Sequence, residues 1–386
     1  MNSAAIDLPA PDESARLLSG SLLNRIEAEI AAAGGWLDFE RYMDLCLYQP
    51  GSGYYSAGAV KLGEAGDFVT APEISPLFGH TLAAAMAGWL ADLQRPVILE
   101  LGAGSGSLAG AVLERLQQSN QLPVEYQILE VSADFRARQQ AHLRVWGDRV
   151  RWLDSLPVEP FEGLVLANEV LDALPVARFV KSAGQVLPLG VSCGESGLGW
   201  APGMPDPGLS RAVAQVEADC GLALPEGYAS ELCRRLPAWL DGVAKHLARG
   251  VMLFIDYGFS QRDYYRPERS SGTLMCHYRH RAHENPFVWP GLQDLSAWVD
   301  FSRVAMAAQE CDLRVNGFTT QSEFLLHAGI GDLMRRAASE PDALRQAAAL
   351  RTLLLPGEMG ERFKVMLLSR GLPDASLPGR DFRSRL

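Results

Sequence analysis

The sequence predicts an α/β protein built on a doubly wound, mostly parallel sheet, and three observations predict it. Short apolar runs recur with helical stretches between them: Val97–Leu99, Tyr126–Leu129, Val150–Leu153, Gly163–Ala167 and Val251–Ile255. Runs of that length read as strands buried on both faces. The first run opens onto Gly102, Gly104 and Gly106, and then onto Leu108, Val112, Leu113 and Leu116 at helical spacing. Strand, tight glycine turn and helix in that order open a nucleotide-binding unit, because glycine admits positive φ and close approach of a ligand. Finally, Glu100, Glu130, Asp154, Asn168-Glu169 and Asp256 close successive strands, the end of an open sheet where ligands sit.

In chain order, residues 1–20 read as a mobile tail and residues 21–93 as a helical N-terminal region. Its helices are Leu22–Ala33, stopped by Gly34-Gly35, Leu37–Leu47, and His80–Leu93. Residues 51–79 are a long glycine-rich loop whose Tyr54, Tyr55, Phe68, Ile74 and Phe78 argue against disorder. The sheet domain runs from 94 to 386, with insertions at about 178–245 and 259–293. Within it, Ser132–Leu143 reads as a helix, and Phe179–Leu189 with Gly190–Trp200 as a hairpin turning at Gly184-Gln185. Pro202–Pro207 is a loop, Leu232–Ala248 a helix, 259–293 structureless, and Leu295–Cys311 a helix. Leu313–Thr319 and Phe363–Ser369 supply the last strands, and Arg380–Arg385 reads as a solvated tail.

The 386 residues are 48% hydrophobic with a net charge of −11. That balance opposes a protein that coats nucleic acid, since no basic stripe is available to displace counterions. Cys46, Cys193, Cys220, Cys233, Cys276 and Cys311 are scattered without a CxxC pair, as expected of reduced thiols in a cytoplasmic compartment. No apolar run approaches the roughly 20 residues of a membrane span. The N-terminus lacks the cationic start and apolar core of a signal peptide.

Two ligand classes use a glycine turn of this kind. A dinucleotide fold wants G-x-G-x-x-G/A, but the sixth position from Gly102 is Ser107, and Glu100 stands where a pyrophosphate would lie. E-x-G-x-G-x-G is instead similar to the turn of Rossmann-like S-adenosylmethionine (SAM) methyltransferases, whose ligand carries an ammonium and a sulfonium and no phosphate. Cys276-His277-Tyr278-Arg279-His280-Arg281-Ala282-His283 raises a metal reading. Arg279 and Arg281 oppose it, and the expectation is a substrate-facing loop with no metal.

GDFVTAPEIS (66–75), LELGAGSG (99–106), ANEVLDALPV (167–176), IDYG (255–258), PERSSGTLMCHYRH (267–280) and GLQDLSAWVDF (291–301) together resemble the MidA family. These are SAM-dependent methyltransferases related to the mitochondrial complex I assembly methyltransferase. The resemblance runs from about residue 20 to 370. It implies a class I SAM-dependent methyltransferase fold with a helical N-terminal extension and inserted substrate-binding segments. It implies SAM as methyl donor and a protein arginine as acceptor, with a respiratory NADH dehydrogenase subunit as a candidate substrate and a homodimer as a candidate assembly.

Carried over residue by residue, the resemblance has Glu100, Gly102, Ala103, Gly104 and Gly106 cradle the methionine part of the donor. Glu130 holds the ribose, Asp154 lies near the adenine, and Asn168 and Glu169 stand at the pocket mouth. Thr70 and Pro72 join the donor side. An arginine acceptor stays protonated, so carboxylates must offset its repulsion from the sulfonium. Glu169, supported by Asp172, is assigned that role, with Glu73 and Asp67 able to reach over the pocket. His280 is assigned to proton acceptance or to positioning the acceptor backbone. The alternatives are a methyltransferase of a non-arginine substrate and a SAM-binding assembly factor with little catalysis.

Overall fold

The computed structural model describes residues 8–56, 70–334 and 339–386. The chain divides into two compact units. One comprises Val69–Leu171, Leu236–Ser260 and Val299–Leu386; the other comprises Met1–Phe68, Asp172–Arg235 and Gln261–Trp298.

The first unit holds a sheet in the spatial order Arg314–Thr320, Phe363–Arg370, Leu247–Phe259, Phe161–Asn168, Val97–Leu101, Glu125–Leu129, Val150–Leu153. Neighbours from Leu247–Phe259 to Val150–Leu153 pair in parallel, and Phe363–Arg370 is antiparallel to both strands beside it. The short strand Val299–Asp300 pairs with the end of Leu247–Phe259. From Val97–Leu101 the chain first builds outward to one side and then returns to Phe161–Asn168 on the other. The carboxyl ends of these two strands therefore flank the switch point where such sheets bind ligands.

The run Val251–Ile255 is buried along its whole length, which is why it reads as unbroken apolar sequence rather than as alternation. Helix Pro76–Leu90 starts before the expected His80, because Ser75 caps it by accepting from Leu77 N (3.2 Å) and Pro76 presets its first turn. It packs closely on helix Ser107–Gln118: a Cβ on Gly79 would lie 2.6 Å from Ala111 Cβ.

In the second unit, helix Glu13–Ala32 begins inside the stretch read as a mobile tail. Asp12 caps it, accepting from Ala15 N at 2.8 Å, and Ser19 Oγ donates to Pro290 O at 3.0 Å. The core gathers Leu22, Ile26, Tyr42, Cys46, Val191 and Leu295. The expected hairpin is a meander of Ala177–Ser182, Gln185–Gly194 and Gly197–Pro202, and Ala229–Leu232 pairs with its first strand. Trp36 lies against it so closely that a Cβ on Gly190 or Gly203 would meet the indole at 2.5 or 2.6 Å.

Helix Pro207–Cys220, capped by Asp206, had no counterpart in the sequence reading. Two predicted helices are shorter than expected. Leu232–Ala248 reduces to Leu236–Ala244, preceded by strand Ala229–Leu232. Leu295–Cys311 reduces to Phe301–Glu310, capped by Asp300 and preceded by strand Asp294–Ser296. Residues 259–293 are not structureless either. They contain helix Gln261–Tyr264 and strands Met275–Tyr278 and Arg281–His283, which join Asp294–Ser296 in a three-stranded sheet.

What orders this segment is distant in sequence. The fully buried Glu231 carboxylate lies 3.1 Å from Arg178 Nε and accepts from Thr273 N at 2.7 Å. A buried charge is tolerable only when paired and hydrogen-bonded, so Glu231 fixes the backbone around 273.

The C-terminal segment is a strap rather than a solvated tail. Arg314–Thr320 is an edge strand, whose unpaired backbone groups would otherwise invite association. Phe382 N donates to Phe318 O (2.6 Å), Thr319 Oγ1 to Arg380 O (2.7 Å), Arg383 Nη1 to Val315 O (2.8 Å) and Asn316 Nδ2 to Ala375 O (2.7 Å). Leu377 covers Gly317. A chain ending at Gly371 loses these bonds, each worth about 1 kcal/mol net. We expect its melting temperature to fall by at least about 5 °C and its light scattering to rise on heating. An unchanged melting curve would show that the strap does not hold the edge.

Candidate active site

The glycine turn is built by backbone geometry. Gly102, Gly104 and Gly106 all have positive φ (64°, 56° and 88°), a region that side chains with a Cβ resist. Gly102 N donates to Leu129 O (3.0 Å), extending the strand ladder into the turn, and Gly106 N donates to Ala103 O (2.9 Å). A Cβ on Gly102 would reach Val170 at 3.3 Å.

Glu100 is buried in the strand that feeds the turn, and Tyr126 OH donates to its Oε2 at 2.7 Å. Burial pushes its carboxyl up to about 7, opposed by the Tyr126 bond and reinforced by the nearby Glu130. Glu130 is also raised, chiefly by burial, against bonds from Ser132 N (2.9 Å) and Gln139 Nε2 (3.0 Å).

Gln139, which the sequence reading passed over, joins the pieces. Its fully buried amide donates to Glu130 and to Gly104 O (2.9 Å) and accepts from Trp152 Nε1 (3.0 Å). One side chain thus couples the second-strand acid to the glycine turn. Its only signal was a polar residue on the inward face of helix Ala133–His142. Val131, immediately after Glu130, is 73% exposed and leaves an apolar surface beside that acid. Asp154 follows strand Val150–Leu153, but its exposed carboxylate pairs with Arg136 Nη1 at 2.6 Å.

Across the switch point, Asn168 ends its strand and donates through Nδ2 to Glu169 Oε1 (3.1 Å). Its buried Oδ1 has no hydrogen-bond partner among the described residues. Glu169 has φ of +55°, rare for a residue with a side chain. That conformation is held from both sides: Glu169 N donates to Ile255 O (2.9 Å), and Val170 N and Leu171 N donate to Asp256 Oδ2 (3.2 and 2.9 Å). Asp256, noted in the sequence only as a strand-end acid, is therefore the buried brace of the Glu169 segment.

Thr70 and Pro72 flank the start of the short helix Ala71–Ile74. From that helix Glu73 accepts a short hydrogen bond from Ser105 Oγ in the glycine turn. Asp67 lies outside the described residues.

The donor-side residues other than Thr70 and Pro72 all sit at carboxyl ends of neighbouring strands of one sheet, and Glu169 is with them. Asp172 and His280 belong to the other unit. There Asp172 is buried, and its carbonyl accepts from Ala297 N at 3.1 Å. His280 is exposed at the tip of the Met275–Tyr278/Arg281–His283 hairpin, where Arg279 and His280 both take positive φ, the turn that matches strand twist. Cys276 pairs with His283 and His277 with Ala282, so His277 and His283 fall on opposite faces. Among the described residues no group of three or more His, Cys, Asp or Glu side chains is placed to hold a metal ion.

The raised Glu100 carboxyl makes a stability prediction. Between the ordinary glutamate value and about 7 the folded protein holds a proton that the unfolded chain releases, so stability falls as pH rises through that window. Above it the cost is about 3 kcal/mol, from roughly 1.4 kcal/mol per pK unit. Glu100→Gln keeps an acceptor for Tyr126 and carries no charge. We expect the variant to gain on the wild type between pH 5.5 and 8, with the wider advantage at pH 8 in denaturant melts. A gap independent of pH would mean that Glu100 is not the group responsible.

The family model for S-adenosyl-L-methionine-dependent methyltransferases matches residues 81–319. A Burkholderia thailandensis protein, solved bound to S-adenosyl-homocysteine, is 42% identical with a TM-score of 0.92, covering 98% of this chain and 100% of that one. Mouse mitochondrial protein arginine methyltransferase NDUFAF7 is 29% identical over 89% of this chain and 83% of its own length. Its Drosophila melanogaster homolog is 27% identical over 95% of this chain and 89% of its own. With the family model covering more than half its length, the chain belongs to the MidA-like family of S-adenosyl-L-methionine-dependent methyltransferases.

Proposed function

We propose that this methyltransferase transfers the methyl group of SAM to a nitrogen of an arginine side chain on a protein. The likeness to enzymes named protein arginine methyltransferase, along nine-tenths of the chain, carries the acceptor class. The residues fit the donor. Carboxylates at two strand ends suit a ligand with an ammonium and ribose hydroxyls, and the buried Asn168 Oδ1 offers an unspent acceptor. Glu100 and the turn 102–106 would hold the methionine part and Glu130 the ribose, and the exposed Val131 beside Glu130 offers an apolar surface to the adenine. Thr70, Pro72 and Asp154 border the same site.

The donor supplies an electrophilic methyl carbon on a sulfonium. The chain's task is to bring the acceptor nitrogen in line behind the breaking bond, at roughly 3–3.5 Å. We assign Glu169 to the guanidinium: a bidentate carboxylate offsets the cation–cation repulsion and turns one nitrogen toward the methyl. As the N–C bond forms and the S–C bond breaks, the sulfonium becomes a neutral thioether and the acceptor nitrogen sheds a proton. Asp172 supports the acceptor side, and His280 contacts the substrate chain or takes the proton.

A respiratory NADH dehydrogenase subunit as substrate, a homodimer and a cytoplasmic setting belong to the same proposal. The family resemblance supports the substrate, and six free cysteines suit a reducing compartment. Light scattering reads the oligomer. No described helix is long and apolar enough to cross a membrane.

Incubation with SAM and candidate protein substrates, read by mass spectrometry, should yield methylated arginine. Glu169→Gln should bind S-adenosylhomocysteine (SAH) within about threefold of wild type and lose at least about 100-fold in turnover, the pattern of an interaction made in the transition state. Unchanged turnover would remove Glu169 from the acceptor role. Donor binding should also depend on pH. Below about 7 Glu100 must release its proton to receive the ammonium, so SAH affinity should fall by up to about tenfold per pH unit and level off above 8. Titration at pH 6 in two buffers of different ionisation enthalpy should show proton release in the wild type and none in Glu100→Gln.

A further inference from the structure

The Glu73 carboxylate reaches the start of helix Ser107–Gln118. Ser105 Oγ donates its proton to Glu73 Oε1. Ser105 Oγ in turn accepts from Ser107 N (3.2 Å) and lies 2.8 Å from Ser107 Oγ. With the Ser105 proton committed to Glu73, the Ser107 hydroxyl is the donor of that last pair. The N–H and O–H of the first helical residue thus point through Ser105 toward one carboxylate. Gly106 N is spent on Ala103 O.

A helix start carries a partial positive charge and unsatisfied N–H groups, and after a glycine turn it is the usual seat of a cofactor phosphate. In this chain the protein's own carboxylate is tied, through Ser105, to the residue that opens the helix. The arrangement is local. Helix Ala71–Ile74, which carries Glu73, leads directly into helix Pro76–Leu90 through the Ser75 cap. That helix is seated on Ser107–Gln118 by the close approach of Gly79 to Ala111. Glu73 is held where it is by packing, not by its hydrogen bond alone.

We propose that Glu73, relayed by Ser105, sets the charge preference of the donor site. It neutralises the anion-attracting helix start, so the turn rejects phosphate-bearing cofactors and favours a cationic sulfonium over a neutral thioether. Glu73 is a specificity-determining residue and makes no part of the methyl transfer itself. The inference rests on the SAM-donor reading of this turn.

The test compares wild type, Glu73→Gln, Glu73→Ala and Ser105→Ala by calorimetric titration of SAM, SAH and inorganic pyrophosphate. Wild type should bind SAM and SAH and give no heat with pyrophosphate. Glu73→Gln keeps an acceptor for Ser105 and removes the charge. It should lose at least about threefold in preference for SAM over SAH and gain millimolar pyrophosphate binding. Ser105→Ala should move both readouts in the same direction. A Glu73→Gln protein with the wild-type SAM-to-SAH ratio and no pyrophosphate binding would overturn the proposal. So would equal weakening toward SAM and SAH in Glu73→Ala with no pyrophosphate binding, since the carboxylate would then be only a latch. Wild type that binds neither SAM nor SAH would instead bring down the donor reading beneath it.

Discussion

A carboxylate buried in the middle of a parallel sheet is the constraint on which the site depends. Glu100 occupies a position that strand periodicity would give to an apolar side chain, and among the described residues the Tyr126 hydroxyl alone hydrogen-bonds its carboxylate. An ionised carboxyl in such a place is unfavourable until a cation arrives. On the proposed donor reading, the turn that follows lets that cation approach through backbone alone, with glycines at 102, 104 and 106. The acid on the neighbouring strand adds to the negative field, and Gln139 fixes the distance between that acid and the turn. Free energy given up in folding is thereby placed where binding of a charged ligand can return it.

The sheet was legible in the sequence because its central strands are buried on both faces. An apolar run bounded by a polar strand end is a local signal, and Val97–Leu101, Phe161–Asn168 and Leu247–Phe259 each carry one. The second unit was less legible. Its strands are mostly half exposed and are ordered by contacts far apart in sequence, such as Glu231 with Arg178 and Thr273. Residues 259–293 carry no period because their structure is imposed by that buried ion pair and by neighbouring strands. Helix caps account for several boundary shifts: Asp12, Ser75 and Asp300 each start a helix where apolar periodicity alone places it elsewhere.

At the candidate site, the residues proposed to meet the ligand could be read, and what was missed is what holds those residues in place. The glycine turn and the strand-end acids have spacing that means something chemically. Gln139 and Asp256 do not, since a buried glutamine or aspartate announces itself only when its partners are known. Glu73 was read as reaching over the pocket, yet its carboxylate is committed to Ser105. The sequence could show an acid in a functional motif but not which way it faces.

The interleaving of the two units has a consequence for how the chain is made. Neither unit is a continuous stretch: the second takes one segment from before the first and two from between its parts. The strand Phe363–Arg370 lies inside the sheet, between Leu247–Phe259 and Arg314–Thr320, although it follows both of them in sequence. A growing chain can form the glycine turn and its helix early, but it cannot close the sheet until residues near 370 have left the ribosome. Until then, the long strand Leu247–Phe259 presents an open apolar edge, the kind of edge that invites misassembly. The fold therefore favours late closure of the sheet over closure as its strands emerge.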